Sequence, residues 1–261
     1  MKKLFTLLAL TIGFSMNAQL AAVTEVGYTG QRLQTSAAAN HGNIGSNAVD
    51  LSYSGSSSTT RGATGIYSIA MGIYTIASGS QSTAMGRSTT AIGTYSTAMG
   101  RNTTASGIVS TAMGYDTTAS GDWSTAMGRE TTASGTYSIA MGREASASQQ
   151  YSIAMGKSTT ANGYSSTAMG YETTASGTYS TAMGYKSTAS DYGSLVIGYY
   201  NNSLSSVTTN GSATAYDADN TAFVIGNGTG SGSKSDAFKV MFNGDATVSN
   251  DLTVSGDVVV S

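Results

Sequence analysis

The sequence lacks several residue types on which most enzymes and small secreted domains depend. Its 261 residues include no Cys, no Pro and a single His (His41), and only 10% are charged. Without Cys there can be no disulfides or thiolate metal sites, and one His cannot form a histidine-rich zinc site. No Ser-His-Asp or paired-carboxylate arrangement stands out. We therefore predict a protein that is not an enzyme and that uses no metal and no cofactor.

Charge and apolar content narrow the class of protein further. The formal net charge is −2, whereas nucleic-acid binding by phosphate neutralisation needs an excess of Lys and Arg; no nucleic-acid partner is expected. From Ser52 to Ser194 there is no Leu and no Phe, so this span cannot build an ordinary apolar core. Low charge with abundant Gly, Ser and Thr would usually suggest disorder, but the order of the residues indicates a regular fold.

The N-terminus has the pattern of a secretory signal peptide, predicted to comprise residues 1–18. Two lysines follow Met1, an apolar run extends to Phe14, and Ala18 precedes the expected cleavage point. The run of about 11 residues is shorter than the ~20 needed to cross a bilayer. No later segment is apolar enough to span a membrane. We predict a chain that is secreted, or held at the cell surface without a membrane span of its own.

A fourteen-residue repeat dominates the sequence. The glycine that ends each Ala-Met-Gly triplet recurs without insertion from Gly72 to Gly184, and Gly198 continues the series. A coiled coil would space its apolar residues three and four apart, whereas here Ala and Met are adjacent in every triplet. Alternation at two, with Thr-rich runs bounded by Gly, is typical of strands. Each period therefore predicts one coil of a parallel β-solenoid with two short strands.

Alternation also predicts which side chains point into the roll. Thr103 and Ala105 of one strand, and Ser110 and Ala112 of the next, share the inner face. All are small, so the two sheets must approach closely and form a thin, flattened roll. The inner hydroxyl groups are then expected to find backbone or side-chain partners.

The outer face of the second strand carries a column of methionines, here called the methionine stripe. So long an apolar stripe exceeds what a soluble monomer usually exposes, so we expect it to be buried between identical chains, with three rolls packed around a common axis. The alternative is that Met fills the interior of the roll. The stripe consists of Met71, Met85, Met99, Met113, Met127, Met141, Met155, Met169 and Met183.

The two corners of the coil carry the candidate ligand-binding residues. Aromatic side chains recur at one corner, where they could bind a glycan or a protein, or simply stack between coils or lie at the trimer seam. They are Tyr67, Tyr95, Trp123, Tyr137, Tyr151 and Tyr179. Basic residues recur at the opposite corner, where they could bind an anionic ligand, or form a solvated edge because acidic residues follow several of them. They are Arg87, Arg101, Arg129 and Arg143.

Outward threonines on the first strand leave another class of function open. Thr90, Thr104 and Thr118 begin a column beside serines such as Ser106. Ice-binding solenoids also present flat Thr arrays at β-strand spacing. A fibre head that mediates adhesion is the preferred interpretation, with an ice-binding solenoid or a purely structural fibre spacer as alternatives.

The repeat itself resembles a known family. The unit S-T-A-M-G-x-x-T-T-A-S-G-x-x, from Ser58 to Tyr199, is similar to the head repeat of trimeric autotransporter adhesins of the YadA type, which follows S-V-A-I-G-x-x-S-x-A-x-G. The resemblance implies an all-β, left-handed parallel β-roll that is homotrimeric and lies at the tip of a surface fibre binding extracellular protein or glycan ligands. Thr-Ala-Met stands where the family has Val-Ala-Ile, which keeps one of the two outer apolar positions.

The segments after the repeat differ from it. Gly226 lies two periods beyond Gly198, so the coil phase should resume after an inserted loop, and the tail reads as strands. The tail resembles the stem that precedes the intramolecular chaperone domain of endosialidase-type fibres. The predicted organisation is a signal peptide (1–18), an N-terminal cap (19–57), a β-roll head (58–198), an inserted loop with a final coil (199–235) and a β-strand stem (236–261).

Overall fold

The structure is a computed structural model that describes residues 20–33, 36–202 and 211–251. The predicted signal peptide, residues 1–18, and the last ten residues of the predicted stem lie outside the described residues. The chain forms two compact units, Met1–Glu130 and Thr131–Ser261.

The first unit begins with a β-hairpin that the sequence pattern did not predict. Strands β1 (Leu20–Glu25) and β2 (Tyr28–Leu33) pair antiparallel. The connecting Val26 and Gly27 both have positive φ, 50° and 83°, as a tight hairpin turn requires. A short 3-10 helix, Ala38–Asn40, follows.

Parallel coils make up the rest of the first unit. Each coil has a strand of five residues and a strand of two, and neighbouring coils pair in parallel fourteen residues apart; Ala112, for example, lies opposite Ala98 and Ala126. This confirms the predicted parallel β-solenoid. The strands are β3 (Val49–Tyr53), β4 (Gly62–Ala63), β5 (Ile69–Ile73), β6 (Ile76–Ala77), β7 (Thr83–Arg87), β8 (Thr90–Ala91), β9 (Thr97–Arg101), β10 (Thr104–Ala105), β11 (Thr111–Tyr115), β12 (Thr118–Ala119) and β13 (Thr125–Arg129).

The second unit repeats the same coil. Its long strands and its short strands again pair in parallel, as Ala154 does with Ala140 and Ala168. The strands are β14 (Thr132–Ala133), β15 (Ile139–Arg143), β16 (Ser146–Ala147), β17 (Ile153–Lys157), β18 (Thr160–Ala161), β19 (Thr167–Tyr171), β20 (Thr174–Ala175), β21 (Thr181–Tyr185), β22 (Thr188–Ala189) and β23 (Leu195–Tyr199).

After the inserted segment the chain returns to the solenoid in phase. β24 (Thr221–Asn227) pairs in parallel with β23, and Gly226 lies opposite Gly198, which confirms the predicted register. β25 (Asp236–Met241) and β26 (Ala246–Val248) then extend the sheet antiparallel. The second unit therefore ends in a β-rich segment.

A side chain closes the free edge of the last short strand. Asn201 is buried, its Oδ1 accepts a hydrogen bond from the backbone N–H of Thr188 (2.7 Å), and its Nδ2 donates to the carbonyl of Thr188 (3.0 Å). The amide thus makes the two bonds that another strand would make. Such a cap satisfies an edge that could otherwise pair with another chain.

The core consists of small side chains, as predicted. Ala105 and Ala112 are fully buried, as are Thr103 and Ser110. The Ser110 Oγ donates to the carbonyl of Gly107, three residues earlier (2.7 Å), and several serines in this column bond in the same way. The expectation that every inner hydroxyl finds a partner is wrong for the inner threonines, and also for Ser96 and Ser138, whose Oγ atoms have no partner among the described residues. Among the described residues no hydrogen-bond partner reaches the Oγ1 of Thr75, Thr89, Thr103, Thr117, Thr131, Thr159 or Thr173.

Both corners of each coil place a residue in the left-handed region of backbone space. In one coil, φ is 54° at Asn102 and 56° at Val109. Their N–H groups donate to Arg87 and Thr94 of the preceding coil, at 2.9 and 2.8 Å. The conformation is unusual for bulky residues, but these hydrogen bonds between coils hold it in place. It also turns the corner side chains away from the core.

Candidate functional site

The methionine stripe lies on the outer surface of the chain. Met99, Met113 and Met127 stand side by side in register on three parallel strands. All nine methionines are at least partly exposed, and Met71 and Met141 are 37% and 38% exposed. The alternative in which Met fills the roll interior is therefore wrong, because alanine, serine and threonine already occupy that space. In the isolated chain each unit presents a partly exposed apolar face.

The aromatic corner is exposed in both units. Every predicted aromatic residue there has a φ between 53° and 59° and is 43–59% exposed. In the first unit, Tyr67 and Tyr95 contact no other aromatic ring among the described residues. In the second unit, the rings of Tyr137 and Tyr151 stack with centroids 5.2 Å apart.

Two tyrosines that the sequence analysis did not single out extend this corner in the second unit. Tyr164 contacts both Tyr151 (5.8 Å between centroids) and Tyr179 (5.7 Å), and Tyr192 contacts Tyr179 (5.4 Å), all edge to face. They lie one residue before the usual aromatic position in their coils. A search of the sequence for either turn position, rather than for one column, would have found them.

The basic corner is an exposed edge on which several positive charges have partners. Arg129 and Arg143 each pair with the glutamate that follows, Glu130 and Glu144, with N···O distances of 2.9 Å. A hydrogen bond from Ser158, aided by the charge of Arg143, lowers the pKa of Glu144. These pairs leave less positive charge for an anionic ligand than the sequence suggests.

The ring of Tyr115 lies near the guanidinium groups of both Arg101 and Arg129. The Arg101 guanidinium lies 5.2 Å from the centre of that ring, and that of Arg129 lies 5.8 Å away. Such cation–π contacts are worth about 0.5–1 kcal/mol at exposed sites. The side chain of Arg87 is exposed at the same corner.

A buried ionic cluster in the N-terminal part was missed by the sequence analysis, because its members are far apart in the chain. Arg32 binds Asp50 (Nε–Oδ2 3.2 Å) and Glu25 (Nη1–Oε1 2.8 Å), and His41 Nδ1 lies 3.1 Å from the same Asp50 oxygen. Burial alone would raise the pKa of Asp50, but hydrogen bonds from His41 and Ser52 hold it below its ordinary value of 3.8. The cluster joins the hairpin to the first coil.

The cluster brings Ser, His and Asp together without the geometry of a catalytic triad. The Ser52 Oγ donates to Asp50 (2.6 Å) and lies 3.4 Å from His41 Nδ1, the same nitrogen that faces Asp50. A triad needs the serine and the carboxylate on opposite ring nitrogens. All three side chains are also buried. This arrangement is typical of a structural ion-pair network.

The outward threonines form a regular but narrow column. Thr104 lies opposite Thr90 and Thr118 in parallel register. All three are half-buried, and the neighbouring Ser106 lies beyond the end of its two-residue strand. The flat array is therefore one residue wide.

Other kinds of site are not found in the part of the chain that the structure describes. Within residues 20–33, 36–202 and 211–251, no group of three or more His, Asp or Glu side chains could hold a metal ion. Over the same residues no helix is long and apolar enough to cross a membrane.

A small-residue β-solenoid with a periodic outer apolar stripe defines a repeat-built fibre head. The family model described as the YadA head domain repeat matches residues 63–89 and, in overlapping windows, residues 91–201. The chain belongs to this family, which confirms the resemblance drawn from the repeat. The comparison with curated proteins gives no match.

Membership of this family indicates a fibre head like those of trimeric autotransporter adhesins. Heads of this type form trimers in general and are typically extracellular or surface-exposed. The fold and family are typical of non-enzymatic adhesins and fibre proteins. The further resemblance of the tail to endosialidase-type stems stays a prediction.

Proposed function

We propose that this chain is the head of a secreted, homotrimeric fibre at the cell surface that mediates adhesion to an extracellular protein or glycan. The observation that carries the proposal is the methionine stripe. The core of the roll is already filled by alanine, serine and threonine, so the methionine side chains on its outer surface do not contribute to that core. An apolar column in strict register has the periodicity to pack against the same column of identical chains.

Trimer formation would leave other surfaces for ligands. The two corners of each coil carry exposed side chains, aromatic at one and mainly charged at the other. Tyrosine and tryptophan provide rigid contact area with a polar tip, and they are common where few residues dominate binding. Because two arginines at the charged corner, Arg129 and Arg143, pair with glutamate, we assign ligand contact first to the aromatic corner. Arg87, Arg101, Arg129 and Arg143 come second.

The predicted signal peptide supports export, which adhesion to an external surface requires. We propose that the exported chain is divided as the sequence predicts. A cap precedes a head from residue 58 to 198, and an inserted loop with a final coil leads to a stem. The proposed role of the stem is to separate the head from the point at which the fibre is anchored. Export is tested by fusing residues 1–18 to a reporter and assaying the medium.

An array of glycans and extracellular-matrix proteins tests the proposal most directly. The chain without residues 1–18 should bind at least one class of immobilised ligand and withstand washing, because a trimer presents three copies of each site. A matched control is the same protein with the six predicted corner aromatics changed to Ser, which should lose or weaken that binding. A trimer that binds nothing on the array would instead be a structural spacer.

The register of the outward threonines supports a second candidate function, ice binding. If this column binds ice, the protein should show thermal hysteresis, and changing Thr90, Thr104 and Thr118 to Tyr should abolish it. We favour adhesion because the array is one residue wide. No hysteresis in the unaltered protein would remove the second candidate.

A further inference from the structure

We infer that five tyrosines of the second unit form a binding strip for a neutral, extended glycan chain. The inference rests on the proposed adhesive function and names the ligand class and the part of the head that would bind it. The strip comprises Tyr137, Tyr151, Tyr164, Tyr179 and Tyr192, one from each of five consecutive coils.

The strip is continuous. Successive ring centroids lie 5.2, 5.8, 5.7 and 5.4 Å apart, so each ring contacts the next. The first pair is stacked, with 8° between the ring planes, and the remaining contacts are close to perpendicular. Consecutive parallel strands are about 4.8 Å apart, so the strip offers one ring for each step along the solenoid. A linear partner with a similar repeat fits it better than a compact one.

The rings are exposed and held in place. Tyr137, Tyr151, Tyr164 and Tyr179 are between 38% and 50% exposed. The backbone of three of them is fixed at φ 59°, and hydrogen bonds join the N–H of Tyr151 to Thr136 and that of Tyr179 to Tyr164. A preordered aromatic surface loses little conformational entropy on binding.

The absence of charge along the strip selects the ligand class. The residues that share these turns are Thr136, Gln150, Ser165 and Thr178, all uncharged hydroxyl or amide side chains. Among the described residues, the one acidic side chain that directly precedes or follows a strip tyrosine in the sequence is Asp191, which is buried and accepts a hydrogen bond from the N–H of Thr221. The turn residues beside the rings therefore offer no countercharge to a charged partner.

Sugar rings match what the strip provides. A pyranose has an apolar face of C–H groups that can lie on an aromatic ring and a rim of hydroxyls that can bond to phenol and amide groups. Neutral polysaccharides also repeat along their length, as the strip does.

The first unit has no continuous run of rings from Tyr67 to Tyr95. At the same corner Tyr67 and Tyr95 have φ 55° and 59° and are 59% and 53% exposed. Gln81 separates them, and Val109 follows in the next coil. Isolated rings of the same exposure and backbone geometry should not hold a chain that spans several coils.

The test is affinity electrophoresis of the chain without residues 1–18 in gels containing a soluble neutral polysaccharide, with galactomannan, laminarin and hydroxyethylcellulose as probes and heparin as the charged comparison. At least one neutral glycan should retard the protein and heparin should not. The variant Tyr137→Ser/Tyr151→Ser/Tyr179→Ser should bind roughly tenfold more weakly or worse. The variant Tyr28→Ser/Tyr53→Ser, which removes two exposed tyrosines outside the aromatic corner, should bind as the unaltered protein does.

Serine is a suitable replacement because Ser165 occupies the same corner with φ 51°. Sedimentation and circular dichroism check that both variants keep their assembly and fold. Should the triple variant misfold, the Tyr151→Ser and Tyr179→Ser single variants replace it, each with an expected severalfold loss. Equal binding by both sets of variants, or retardation by heparin alone, overturns the inference.

The two experiments distinguish failure of the glycan strip from failure of the proposed adhesive function. If no neutral glycan retards the protein but the ligand array still gives a binder, adhesion stands and the strip does not bind glycan. If neither experiment detects a ligand, both fail.

Discussion

A Cβ atom added to Gly114 would collide with the carbonyl oxygen of Gly128 in the next coil. The φ of Gly114 is +126°, a backbone conformation that side chains disfavour. The same collision recurs from coil to coil, with the Gly100 position facing Gly114. The backbones of neighbouring coils therefore approach too closely at this position for any side chain. This explains why every coil from Gly72 to Gly198 has glycine there.

Changing Gly114 to Ala should consequently destabilise the protein by about 3 kcal/mol or more, since both the backbone conformation and the contact with the next coil become unfavourable. Chemical denaturation followed by circular dichroism measures the loss. Gly232→Ala is the control, because a Cβ at Gly232 meets no atom within 4 Å; it should change stability by about 0.5 kcal/mol or less. Similar effects of the two substitutions would contradict the close-approach argument.

Removing a buried hydroxyl group should change the free energy of unfolding in opposite directions at Thr103 and Ser110. Thr103→Val should raise the free energy of unfolding by about 1 kcal/mol, because it replaces a buried hydroxyl without a partner by a methyl group of similar size. Ala145 already occupies the same column and is buried. Ser110→Ala should lower the free energy by about 1 kcal/mol, because it removes the bond to the Gly107 carbonyl. Equal effects at both sites would disprove the distinction.

Asparagine and valine occupy equivalent left-handed positions at the two corners of one coil, so each can be replaced by the other residue type. Asn102 and Val109 have nearly the same positive φ, which Asn tolerates and a β-branched residue does not. Val109→Asn should stabilise the protein by about 1 kcal/mol, and Asn102→Val should destabilise it by a similar amount. Thermal unfolding of the two variants tests this, and a destabilising Val109→Asn would show that Val109 packing outweighs backbone strain.

The buried ionic cluster makes the stability of the first unit depend on pH. The pKa of Asp50 is lowered in the folded protein, so its contribution is complete above its ordinary value of 3.8 and is lost as pH falls through the lower folded value. Asp50→Asn should cost about 3 kcal/mol at neutral pH, because it leaves Arg32 with a weaker buried partner. Denaturation at a series of pH values should show the difference between variant and unaltered protein shrinking below about pH 4. A difference that stays constant into acid would rule out this role for Asp50.

The repeat made most of the solenoid predictable from sequence. Its period gave the register of Ala112 with Ala126, and alternation identified the alanine core and the outer position of Met113. What escaped prediction depends on contacts between distant residues or on backbone conformation. Arg32 and Asp50 meet only after the hairpin folds back, and the left-handed conformation of Val109 leaves no trace in residue type. The Tyr164 ring was missed because it reaches the aromatic corner from the adjacent turn position.

Burial of the methionine stripe between identical chains is the central claim, and sedimentation equilibrium of the chain without residues 1–18 tests it most directly. We expect a single species of three times the monomer mass over a wide concentration range. Met99→Lys/Met113→Lys/Met127→Lys should dissociate it, because burying unpaired charges is costly, whereas Thr90→Lys/Thr104→Lys/Thr118→Lys on the other outer face should not. A folded, monodisperse monomer of the unaltered protein would contradict the account.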